Sequence, residues 1–62
     1  MANDPRLAKR LKLWRERRNE NQQEFGKFLG GYSARTVLRW ENAQTRIHLS
    51  VVKQMREDER GG

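Results

Sequence analysis

The sequence predicts an all-α domain of four helices, five at most, closed around one small core. Three observations lead there. Apolar residues recur at helical spacing in four separate segments, and three of those segments follow a residue able to cap a helix. No stretch alternates apolar and polar residues well enough to make a strand. The 62 residues include no cysteine, so a chain this short has no disulfide or thiolate metal site to staple it. Helices suit such a chain, because their contacts are local and each satisfies most of its own backbone.

The first segment, NDPRLAKRLKLWRERR, opens with Asn3 or Asp4 as N-cap and Pro5 at the first helical position. Leu7, Leu11 and Trp14 then fall on one stripe, with Leu13 off it, and Asn19 can end the helix in a left-handed conformation. Asn21 caps the second helix, with Glu24 in capping-box position. Phe25, Phe28 and Leu29 form its inner face. Gly26 lies inside that helix at a cost of about 1 kcal/mol relative to alanine, which calls for a packing reason such as close approach of another helix. The glycines of GGY break the chain, and Ser33 caps a third helix running to about Asn42. After the loop NAQTRI, a fourth helix from about His48 to Arg56 points Leu49, Val52 and Met55 inward. Residues 1–56 thus form the domain, and 57–62, EDERGG, have too little apolar content to pack and read as a frayed or disordered tail.

Charge narrows the partner. Lys and Arg number 14 against 8 Asp and Glu, a net +6. Between Pro5 and Arg56 there are 13 basic residues and only 4 acidic ones, Glu16, Glu20, Glu24 and Glu41. A compact domain so charged repels itself, and a polyanion relieves that cost. Nucleic acid is the first candidate and an anionic membrane surface the second. The N-terminus has no apolar h-region and no run spans a bilayer, so the expected location is the cytoplasm, in association with the nucleoid. With one histidine, His48, no catalytic set and no phosphate-cradling loop in view, neither an enzyme nor a cofactor is expected.

Two short helices joined by a tight glycine turn on a basic all-α domain describe a helix-turn-helix. The second helix of such a motif packs on the first while lying in the DNA major groove, so its two faces carry opposite duties. In SARTVLRWEN, Val37 and Trp40 share the apolar face, with Trp40 as anchor. Arg35 and Arg39 are then the probes of base edges, beside the small Ala34. Tyr32, in the turn, is the aromatic expected to be exposed, where it touches a phosphate or braces the turn. Trp14, Trp40, Phe25 and Phe28 are expected in the core.

These residues resemble a known family. NQQEFGKFLG followed by SARTVLRWEN looks like the helix-turn-helix of phage repressor and Cro proteins, the lambda-repressor-like, Cro/cI-type or XRE-type regulators. The resemblance runs from about Leu7 to Met55. It rests on the spacing of Leu7, Leu11 and Trp14, on Gln22 and Gly26, and on RWEN at 39–42. It implies a cytoplasmic transcription regulator, a repressor in a phage, plasmid or other mobile element, acting on a (pseudo)palindromic operator in double-stranded DNA. Base reading would then fall to Ala34, Arg35, Leu38 and Arg39. Phosphate contacts would fall to Gln22, Lys27, Tyr32, Ser33, Thr36, Asn42 and Arg46. Arg15 and Glu41 match an internal ion pair between the first and third helices. The sequence departs from the pattern in the two residues, Gly31 and Tyr32, between glycine and capping serine, in Glu20 and Ile47, and in lacking a fifth helix. That last departure predicts a weak homodimer, or a monomer that pairs on DNA.

Two other readings accompany this one. The chain could be the DNA-binding antitoxin of a toxin–antitoxin pair, although the acidic tail offers few apolar anchors. In a different class, it could be a basic peripheral membrane or adaptor protein that uses the Leu13 face.

Overall fold

A computed structural model of the chain describes residues 4–61. Among them four helices follow in order: α1 Pro5–Arg17, α2 Gln22–Leu29, α3 Ala34–Glu41 and α4 Leu49–Gly61, with no strand. No helix among the described residues is long and apolar enough to cross a membrane. Asn3, one of the two capping residues expected for the first helix, lies outside the described residues, and Asp4 fills the role. Its side chain accepts from the Arg6 N–H at 2.9 Å, with Pro5 at the start of the helix. α1 ends at Arg17 with Arg18 as its C-cap, and Asn19, with a φ of 55°, turns the chain away from the helix.

One core holds the helices. α1 contributes Ala8, Leu11 and Trp14; α2 contributes Phe25 and Leu29; α3 contributes Val37 and Trp40. Ile47, from the loop, and Val51, Val52 and Met55 of α4 complete it. α2 and α3 make the most extensive helix contact, and α1 packs against α3 as well. Trp14 meets Phe25 edge-on, with ring centroids 5.1 Å apart. The Gln54 amide donates to the Leu29 carbonyl at 3.1 Å, so α4 satisfies a carbonyl that α2 leaves open at its end.

The glycine inside α2 is explained by the turn rather than by a neighbouring helix. A methyl group at Gly26 would stand 2.1 Å from the Tyr32 carbonyl oxygen, and 3.4 Å from Val37 of α3. The chain folds back tightly here because the Gly26 carbonyl accepts from both the Gly31 and Tyr32 N–H groups, at 3.0 and 2.9 Å. Gly30 and Gly31 reach this geometry with φ of 138° and 91°, conformations that other residues adopt poorly.

Three sequence expectations are corrected. Phe28 is 43% exposed, not core. The inner stripe of α2 is narrow, and Phe28 sits on its flank, edge-on to Trp14 at 5.7 Å with the Arg18 guanidinium 3.5 Å over its ring. Leu49 is 64% exposed, because Ile47 and Val51 occupy the core there and the inward stripe of α4 is Val51, Val52 and Met55. Finally, α4 does not end near Arg56 but continues to Gly61, and Gly62 lies outside the described residues. Asp58 and Glu59 prolong the Val51–Met55 stripe with carboxylates in place of apolar groups. Glu59 pairs with Arg10, and Asp58 approaches Arg17 at 4.0 Å.

Candidate nucleic-acid interface

α3 is eight residues long, too short to persist alone, so its orientation is fixed by what it buries. Ser33 starts it: the hydroxyl accepts from the Thr36 N–H at 3.2 Å and lies 3.0 Å from the Thr36 hydroxyl. Val37 and Trp40 are buried, Trp40 against Tyr32 with centroids 4.8 Å apart. At the far end Glu41 holds α3 to α1. Arg15 Nε donates to Glu41 Oε2 at 2.7 Å and Arg15 Nη2 to Oε1 at 3.3 Å. The remaining guanidinium nitrogen, Nη1, donates to the Glu20 carbonyl at 3.0 Å.

With one face anchored, the opposite face is exposed among the described residues. Arg35, Leu38 and Arg39 are all exposed, and they cluster opposite Val37 and Trp40 around the helix. Ala34 and Thr36 lie half-buried at its two borders, and Asn42 is exposed at the C-cap. Arg35 and Arg39 are one turn apart on the same side, within reach of neighbouring positions on a rigid ligand.

Beside the start of α3 lies an open recess of about 440 Å³, bordered by Gln23, Lys27, Gly31, Tyr32, Ser33 and Ala34. It brings together four of the residues singled out from the sequence: Lys27, Tyr32, Ser33 and Ala34. Gln23 joins them and was missed. Its signal was its place one turn before Lys27 on the same side of α2. Gln22, expected at a phosphate, turns inward instead, and its amide donates to Glu41 Oε1 at 3.3 Å. Tyr32 is half-buried and braces the turn from the inside. Arg46 stands apart, on a groove formed with α1 and α4.

Ion pairs engage four of the basic residues among those described, and Arg6, Lys9 and Lys12 of α1 and Lys53, Arg56 and Arg60 of α4 are exposed outside those pairs. Among the described residues, the four pairs draw their arginines from α1 and its C-cap: Arg10, Arg15, Arg17 and Arg18, with Glu59, Glu41, Asp58 and Glu20. Lys27, Arg35, Arg39 and Arg46, the basic side chains of α2, α3 and the loop that follows, are exposed and have no acidic partner among those pairs. A surface whose cations are left uncompensated attracts an anion along its whole length. No protein-family model, curated protein or solved structure matches the chain.

Proposed function

We propose that this chain is a lambda-repressor-like helix-turn-helix protein that binds duplex DNA with α3 in the major groove and represses transcription by occluding a promoter. One observation carries the reading. α3 is amphipathic in two senses at once, with Val37 and Trp40 anchored in the core and Arg35 and Arg39 exposed and outside every ion pair among the described residues, on a chain of net charge +6. An arginine fork matches guanine O6 and N7 bidentately, so each arginine reads one G·C pair. Leu38 and Ala34 meet thymine methyls or allow close approach. Lys27, Ser33, Thr36, Asn42 and Gln23 hold the flanking phosphates, which fix register without carrying sequence. Two copies docked one helical turn apart on a palindrome would gain from each other only on DNA.

Selection of bound sites from random duplex DNA tests specificity directly. The expected product is a consensus containing G·C pairs at the α3 contacts, with half-sites about one helical turn apart. If five to seven phosphates are neutralised, log K against log salt should have a slope of about −5 to −6. A flat slope, or no enriched sequence, would reject the proposal. Co-sedimentation with anionic vesicles, run beside it, tests the membrane alternative.

A further inference from the structure

A second surface has a different chemistry. Leu7, Ile47, Leu49 and Val52 line a groove of about 360 Å³ between the N-terminal part of α1 and the start of α4, with Arg46 at its edge. Leu49, at 64% exposure, is the most exposed of the large hydrophobic side chains among the described residues. None of the lining residues belongs to α3, so the groove is distinct from the face that carries Arg35 and Arg39.

Arg46 is the cation in its lining, and helical spacing brings others near. Arg6 adjoins Leu7, and Lys53 and Arg56 stand four residues after Leu49 and Val52, which places each beside its apolar neighbour on α4. Arg6, Arg46, Lys53 and Arg56 are all exposed, and none takes part in an ion pair among the described residues. Of the acids at the α4 end, Glu59 is held by Arg10 and Asp58 faces Arg17, and Glu57, exposed next to Arg56 and one turn after Lys53, takes part in no ion pair among the described residues.

These features define what fits. A second copy would bring the same cations to the groove, and like charges across an interface oppose docking. A sugar–phosphate backbone has nothing to fill an apolar cleft. An apolar anchor flanked by carboxylates satisfies both the apolar lining and the cations near it, in the manner of an amphipathic segment laid in a groove. We propose that this groove docks an acidic protein segment, a short stretch with an aliphatic or aromatic anchor bordered by Asp and Glu. The groove is concave rather than protruding, which favours a side chain over a lipid surface.

Short random peptides displayed on phage and selected against the immobilised full-length protein provide the probe. Enriched peptides are expected to carry an apolar anchor beside acidic residues. Synthesised, the best of them should bind roughly tenfold more weakly to Leu49→Ser and to Arg56→Glu, and equally well to Arg35→Ala and Arg39→Ala. Leu49 is mostly solvated, so Leu49→Ser should fold, and its thermal melt checks this. Absence of enrichment, peptides without acids, or binding insensitive to Leu49→Ser would overturn the proposal. A dimer in sedimentation that Leu49→Ser abolishes would assign the groove to a second copy instead. Leu49-dependent sedimentation with phosphatidylglycerol vesicles would assign it to lipid. The α3 variants distinguish failure here from failure of DNA binding.

Discussion

The Arg15 guanidinium lies across the Glu41 carboxylate, with Nε 2.7 Å from Oε2 and the Glu41 side chain only 4% exposed. This pair joins α1 to the end of α3, 26 positions along the chain. Gln22 from α2 donates to the same carboxylate, so three helices meet at one charge. Glu41→Gln removes that charge and leaves Arg15, itself 16% exposed, without a counterion. The expected loss is about 3 kcal/mol, the low end for breaking a buried pair. Glu57→Gln, on an exposed side chain, should be neutral within about 0.5 kcal/mol. Thermal melts of both variants check this, and equal shifts would contradict the burial argument.

Gly26→Ala should disturb the turn before α3. The added methyl meets the Tyr32 carbonyl at 2.1 Å, a backbone atom that cannot rotate away. Overpacking of this kind costs about 1–3 kcal/mol. Amide shifts in an NMR spectrum should concentrate at 30–34, and DNA affinity should fall even at temperatures where the variant is fully folded.

Ala43 follows α3 with φ of 58°, a left-handed conformation that costs a residue with a Cβ about 1–2 kcal/mol. Its N–H donates to the Trp40 carbonyl at 3.1 Å, so the conformation is part of the helix ending. Ala43→Gly removes the steric strain, offset partly by glycine's greater freedom when unfolded. A net gain of about 0.5–1 kcal/mol is expected, seen as a melting temperature several degrees higher. An unchanged or lower melting temperature would contradict it.

On a preferred DNA site, Arg35→Ala or Arg39→Ala should each cost about 1–3 kcal/mol and relax selectivity at one base pair. Lys27→Ala should weaken all sites alike and lower the salt slope by about 1. A panel of single-base site variants measures both. If Arg39→Ala lowers affinity evenly over the panel, Arg39 contacts a phosphate and not a base.

The end of α4 should be sensitive to acid and to salt. Hydrogen bonding from Arg10 holds the Glu59 carboxyl below the ordinary glutamate range, with direct attraction to Arg10 and Arg17 adding to it and slight burial opposing. A carboxylate whose folded value is depressed contributes stability above its unfolded value, and loses it as pH falls through the folded one. Amide exchange at 57–60 should therefore accelerate below the usual carboxylate range, or in high salt, while Val51–Met55 stay protected. Glu59→Gln should reproduce this at neutral pH.

Much of this architecture can be read from the residues alone, because the signals are local. Asp4, Asn21 and Ser33 are side chains whose oxygens meet nearby backbone N–H groups, and the Asn21–Glu24 capping box forms in both directions. What could not be read depends on neighbours distant in sequence. Phe28 and Leu49 are apolar at acceptable spacing, yet Arg18 and Ile47 decide that they stay outside. The last turns of α4 lack apolar residues, and their acids meet arginines 41 to 49 positions away. At the candidate interface, α3 was legible because Val37 and Trp40 fix its rotation. Gln22 and Gln23 were not, since adjacent identical residues give no hint of which one Glu41 draws inward.

The separation of the two faces of α3 bears on how such a surface can change through descent. Arg35, Leu38 and Arg39 add nothing to the interior, while Val37 and Trp40 carry the structural duty of the helix. Inheritance can rewrite the outer three without first acquiring a compensating change inside. New ligand preferences are then reachable by single steps through folded intermediates, and a combinatorial library at those three positions should yield folded members almost throughout.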